Sequence, residues 1–276
     1  MRPNGSTPER PFPLAAAIAV TAAGIAAMLG GGTALALRSS LGLRAQIAIG
    51  TLALAFPAVS VLLLRPELWP AVRGAGRVAG RMIALSLLLG VALWIGSAGL
   101  MEMQSLVTPP TEAYLDAFRA IHRALAPSNP WDALVSVIVI AVLPGVCEEL
   151  VVRGVFLPAL AYPLARARVG WVAVLLSALL FAAIHLDSFR FLFTFALGLV
   201  FGFLRLRSGS LWPSVCAHTS LNTLTFVVAP FVDDPTKPYT PAPALGAAFL
   251  LAGVAVTWPL LKALGSHGVD SPVSRP

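Results

Sequence analysis

Charge is scarce in this chain. Only 11% of its 276 residues are charged and 58% are hydrophobic, with a mean hydropathy of +0.85. A soluble domain carries about 25% charged residues, so an ordinary soluble globule is excluded and a polytopic membrane protein is left. Cysteine is scarce too. Cys147 and Cys216 are the two in the chain, which excludes a disulfide framework and a CxxC metal site. Both fall in apolar segments and read as small core residues. Cys216 lies two residues before His218, on the opposite side of a helix, and is a poor co-ligand for it. No HExxH occurs, so the usual zinc-protease signature is missing. No basic patch with interleaved aromatics occurs either, so the net charge of +7 does not point to nucleic acid. No duplicated half is evident, which weakens a proton-coupled transporter as a reading.

What the chain has in abundance is apolar runs. A bilayer-spanning helix needs about 20 mostly apolar residues. That rule predicts an all-α, polytopic membrane helical bundle of about eight transmembrane helices, at 14–37, 45–64, 82–101, 131–150 (extending toward 163), 171–186, 190–204, 211–231 and 242–263. The first run is far longer than the 7–15 residues or so of a signal-peptide core, so it reads as a retained membrane helix. By this reading the chain divides into a polar tail at 1–13, N-terminal spans with an external connection at 14–130, a chemistry-bearing core at 131–231, and a last span with a polar tail at 232–276.

Arginines cluster between spans. Arg65, Arg73, Arg77 and Arg81 follow the second, Arg166 and Arg168 the fourth, Arg205 and Arg207 the sixth. With alternating spans these loops share one side, expected to be cytoplasmic by the positive-inside rule, as are both termini. Glu102, Glu112, Asp116, Asp187, Asp233 and Asp234 fall on the other side, while Arg38 and Arg44 break the pattern. The expected location is the cell membrane, with the lipid bilayer as partner. In the long connection after the third span, Leu115, Phe118, Ile121 and Leu125 recur at helical spacing. This predicts an amphipathic helix lying on the membrane or capping the bundle. His122 on that helix and His267 in the tail read as solvated residues.

Against this background the ionisable residues inside apolar runs stand out. Acidic groups cost about 2.5–3.5 kcal/mol each at the centre of a membrane helix, so they are rare there without a role. Glu148 and Glu149 are adjacent in one run; His185 ends another; His218 and Asn222 share a third. On a helix Glu149 and Arg153 are four apart and share a face. Glu148 lies about 100° round from Glu149 and out of direct line with Arg153. Arg153 therefore neutralises Glu149 and leaves Glu148 available as a base. His218 and Asn222, also four apart, can both aim at a developing oxyanion. Each feature alone has a plain structural reading, as a buried ion pair or a helix–helix hydrogen bond; three in one small bundle favour chemistry.

Glu148-Glu149-x-x-x-Arg153, Phe181-x-x-x-His185 and His218-x-x-x-Asn222 together resemble the motifs of the CPBP intramembrane proteases. That family includes the type II CAAX prenyl endopeptidases and the bacteriocin-processing and self-immunity proteins. Arg153-Gly154 and Leu211-Trp212-Pro213 resemble its flanking sequence, and the likeness covers about residues 130–226. It implies an endopeptidase acting on a membrane-associated peptide or protein substrate, such as a lipidated, CAAX-like one. Glu148 and His185 would activate a water, His218 and Asn222 would stabilise the oxyanion, and Glu149 and Arg153 would support them. Two versions stay open: a divalent metal, zinc, held by Glu148, His185 and His218, or a glutamate-dependent site with no bound metal. The alternative is a non-catalytic scaffold or self-immunity protein of the same fold. One conflict remains at this level. Simple alternation puts Glu148 and His185 near opposite surfaces, unless the fourth span is long, starts outside the bilayer or breaks at Pro144-Gly145, or the chain re-enters around 185–189.

Overall fold

The structure, a computed structural model, describes residues 12–38, 40–74, 78–166, 170–232 and 240–265. Arg77, Arg168, Asp233, Asp234 and His267, with residues 1–11 and 266–276 of the polar tails, lie outside the described residues.

Long runs of Ala, Leu, Val and Gly bury no polar side chain, and in lipid the backbone must satisfy itself, so each run closes into a helix. The helices are α1 (Leu14–Arg38), α2 (Leu43–Leu64), the short α3 (Trp69–Arg73), α4 (Gly80–Ser105) and α5 (Glu112–Leu125). A long composite helix, α6, runs through Pro130–Val137, Leu143–Glu149 and Leu157–Arg166. It is followed by α7 (Trp171–Ala183), α8 (Phe191–Ser208), α9 (Trp212–Val232) and α10 (Pro243–Gly265). No strand occurs among the described residues. Among the described residues six helices are long and apolar enough to cross a membrane: Leu14–Gly32, Leu43–Leu64, Gly80–Ser105, Pro130–Leu164, Phe191–Ser208 and Pro243–Leu264. The expected count of eight is therefore not reached on this measure. Trp171–Ala183 is apolar but shorter, and Trp212–Val232, a helix rich in Ser, Thr, His and Asn, is not among the six.

The ends are set by local chemistry. The Thr111 side chain accepts from the Tyr114 amide at 3.2 Å and starts α5, and Asn129 accepts from the Asp132 amide at 2.9 Å, with Pro130 in the first helical position of α6. These are favoured N-cap arrangements. Gly209, at φ +64°, ends α8 in the left-handed conformation that suits glycine.

α6 is central and touches α1, α2, α3, α7, α8 and α9. Two apolar clusters flank the polar site. One gathers α1, α2, α3, α6 and the start of α9 around Leu54, Val72, Val151 and Val215; the other gathers α4, α8, α9 and α10 around Leu89, Phe201, Leu221 and Leu264. α6 does not break at Pro144-Gly145. Instead it widens into π-helical turns at Ile138–Val142 and Leu150–Phe156, on either side of the glutamate pair. A proline inside a helix has no N–H to give and its ring needs room in the preceding turn, and the first wide turn directly precedes Pro144.

Two arginines change role. Arg44 does not sit free in an external loop: it donates to Asp132 at 2.6 Å and to the carbonyls of Leu125 and Ala126, tying α2 to the junction of α5 and α6. Arg205, expected as a loop charge, is buried. It donates to the carbonyls of Arg153, Ala71 and Val72 at 3.1, 3.0 and 3.2 Å.

Candidate active site

The depth conflict resolves through two lengths. From Glu148 to the end of α6 at Arg166 the chain climbs about 27 Å, and from Trp171 back to His185 it descends about 21 Å, at 1.5 Å per residue. Because α7 is short, His185 returns to nearly the level of Glu148. The fourth span extends to Leu164, as its expected continuation toward 163 implies, and the fifth ends at Ala183, before the expected 186.

Three of the expected side chains converge. Glu148 Oε2 lies 3.9 Å from His185 Nε2 and 3.9 Å from His218 Nε2. That Oε2 atom is buried and has no hydrogen-bond partner among the described residues. At 3.9 Å the pairs are too far apart for direct hydrogen bonds but suit one bridging water. The Glu148 side chain keeps 17% exposure and His185 26%, enough for contact with a substrate; His218, at 5%, is buried.

Glu149 and Arg153 sit beneath them, both fully buried. Arg153 Nη1 donates to Glu149 Oε1 at 2.9 Å and Nη2 to the Gly198 carbonyl at 3.2 Å. The guanidinium carbon lies 4.2 Å from the centre of the Phe181 ring and 5.6 Å from that of Phe201, a desolvated cation–π arrangement of the kind that contributes about 2 kcal/mol. The spacing argument that pairs Arg153 with Glu149 rather than Glu148 matches this contact.

The hydrogen bonds also fix which histidine nitrogens carry protons. His185 Nδ1 bonds the Phe181 carbonyl at 2.7 Å, and His218 Nδ1 bonds Glu149 Oε1 at 3.1 Å. A carbonyl or carboxylate oxygen only accepts, so each Nδ1 is the donor. Both Nε2 atoms then present lone pairs toward Glu148 when the rings are neutral. Phe201 stacks on His218 with ring centres 5.2 Å apart, and Phe181 meets both imidazoles edge-on. The short tethers follow from sequence: Phe181 and His185 are one turn apart, as are Glu149 and Arg153.

Asn222 lies one turn past His218 on α9, half-buried, and no hydrogen bond of its side chain occurs among the described residues. Phe201 and Arg205 are contributors that sequence reasoning missed. Phe201 carried no signal beyond apolarity. Arg205 resembled a topology charge because it ends an apolar run.

The donors have the right chemistry for a cation, two imidazole lone pairs and a carboxylate, but they do not fit a zinc ion as placed. Zinc bonds of about 2.0–2.2 Å in a tetrahedron hold ligand atoms about 3.4 Å apart, closer than the 3.9 Å found here. Among the described residues no group of three His, Cys, Asp or Glu side chains is arranged to hold a metal ion.

The segment from the start of α6 to the second half of α9 is the part that carries all of these groups. Residues 130–224 match the family model described as type II CAAX prenyl endopeptidase Rce1-like. No curated protein and no solved structure matches the chain. The Rce1-like match covers Glu148, Glu149, Arg153, His185, His218 and Asn222, and leaves α1 to α5 and α10 outside it. It points to a CAAX-type peptide hydrolase with a membrane-associated protein or peptide as substrate. With the apolar helices, it identifies a multi-pass membrane protein.

Proposed function

We propose that this protein is an intramembrane endopeptidase of the Rce1-like kind, in which Glu148 activates a water without a bound metal. The observation that carries the reading is the approach of the orphaned Glu148 Oε2 to two imidazole Nε2 atoms at equal distance, inside the matched segment. In the reaction we derive, a water between Glu148 and His185 gives one proton to the Glu148 carboxylate while its oxygen attacks the scissile carbonyl. His185 Nε2 accepts the second hydrogen bond of that water and orients it. General-base catalysis of this kind contributes about 10²–10⁴-fold. The proton on Glu148 then passes to the leaving amine.

The role first assigned to His218 needs refinement. With its Nδ1 proton committed to Glu149, a neutral His218 has nothing to donate at Nε2. It stabilises an oxyanion only as imidazolium, and Glu149 beneath it offsets that charge, the way a buried carboxylate supports a catalytic histidine elsewhere. Arg153 keeps Glu149 ionised for this purpose. Asn222 would supply the neutral donor.

The substrate class we propose is a polypeptide with a prenylated cysteine near its C-terminus, whose lipid places the cleavage site at the membrane. Membranes from cells making the wild type or Glu148→Gln, compared by mass spectrometry of C-terminal peptides, test this. The reading expects membrane-anchored chains with uncleaved C-termini to accumulate in the variant. Identical C-termini in both would leave the non-catalytic scaffold reading in its place.

A further inference from the structure

Glu148 and His218 sit inside helices, but His185 does not. It lies just past the end of α7, in the turn that leads to α8. The next residue, Leu186, has φ +51°, a conformation that costs a non-glycine residue about 1–2 kcal/mol. Such backbone persists only where its surroundings hold it. Close packing does not do so here: Leu186 is 75% exposed, and Ser188 and Phe189 border a cavity of about 330 Å³.

Three side-chain bonds hold the turn instead. Asp187 Oδ1 accepts from the Arg190 amide at 2.9 Å, and the Tyr114 hydroxyl donates to Asp187 Oδ2 at 3.1 Å. Gln104 Nε2 donates to the Phe189 carbonyl at 2.7 Å. The Arg190 guanidinium stands 4.0 Å from Asp187 Oδ2, and the Tyr114 ring packs on Phe189 with centres 5.2 Å apart. Tyr114 comes from α5 and Gln104 from the last turn of α4, both outside the matched segment. We propose that Tyr114 and Gln104 are positioning residues for His185, clamping the 185–190 turn through Asp187 and Phe189 so that the imidazole stays in register with Glu148. The catalytic part of this claim rests on the proposed function; the clamp itself does not.

The reason for a clamp is geometric. His185 Nε2 and Glu148 Oε2 come from different elements and are 3.9 Å apart, so a loose turn would misplace the water they share. A displacement of 1 Å at a reacting group can cost about 10²-fold in rate. The Tyr114 tether is steady over the working pH range, because burial and then the Asp187 charge push its hydroxyl up to about 12, so it remains a donor.

The test uses full-length protein in lipid nanodiscs, as wild type, Tyr114→Phe and Gln104→Ala. Tyr114→Phe keeps the ring on Phe189 and removes only the hydroxyl. Losing one such bond should raise amide exchange in the 184–190 segment about tenfold by local opening, with exchange in α9 unchanged. The rate at which diethylpyrocarbonate modifies His185 should rise severalfold. With a farnesylated peptide ending in Cys and three further residues as reporter, kcat should fall about tenfold with KM unchanged, and Asp187→Asn, which keeps one acceptor, should fall between. Unchanged exchange across 184–190 in both variants overturns the inference, as does raised exchange with unchanged His185 modification. If the wild type does not cleave the reporter, the proposed function falls for that substrate, and exchange and modification still decide the clamp.

Discussion

Glu148 and Glu149 are neighbours in sequence with opposite fates, and the difference comes from one helical step of about 100°. Glu149 is sealed with Arg153 at 0% exposure, whereas Glu148 keeps 17% exposure and brings its Oε2 within 3.9 Å of two imidazoles. Breaking a buried pair leaves an uncompensated charge costing about 3–5 kcal/mol. Arg153→Ala is therefore expected to lose that much stability, read as a lower unfolding midpoint in detergent; an unchanged midpoint would show that the pair is not structural. Asn222 is predicted to act only when negative charge has formed. Asn222→Ala should lower kcat by about 10²–10³-fold with little change in KM, and a pure KM effect in steady-state kinetics would move it to substrate docking. At this scale the polar residues were legible because ionisable groups in apolar runs are costly and few. The proton on His218 was not legible: spacing cannot show that Nδ1 is already spent on Glu149.

The elements were legible in kind and less so in length. Apolar runs marked every long helix, and the 3- to 4-residue recurrence marked α5, because both signals are local. What sequence could not show was that α6 would run unbroken through Pro144 on wide π turns, or that α7 would stop early enough to bring His185 level with Glu148. Those depend on packing between elements. One such contact is open to test. A Cβ on Gly198 would lie 2.8 Å from the Ala178 Cα, and the Gly198 carbonyl is the acceptor that holds Arg153. Gly198→Ala should part α8 from α7 and destabilise the protein by about 1–3 kcal/mol, measured by thermal unfolding. Adding Ala178→Gly should recover part of that loss, and full stability of the single variant would contradict the packing account.

For the whole molecule, the fold puts one supporting loop charge, Arg205, and one exception, Arg44, to other uses. Arg44 is engaged with Asp132, and Arg205 caps three carbonyls, so neither is a free topological signal. Setting Arg205 aside leaves Arg65, Arg73, Arg81, Arg166 and Arg207 among the described residues on the side proposed to be cytoplasmic, and setting Arg44 aside removes one of the two exceptions to the pattern. Reporter fusions to each terminus should then be active only as cytoplasmic reporters, and a periplasmic or extracellular signal from either would reverse the assignment. The central claim is that Glu148 hydrolyses a peptide bond at the membrane, and reconstituted cleavage tests it most directly. Purified wild type and Glu148→Gln, matched for folding, are placed in liposomes with the farnesylated reporter, and the released C-terminal tripeptide is quantified. The account predicts release by the wild type and at least about 10²-fold less from the variant; equal release from both would contradict it.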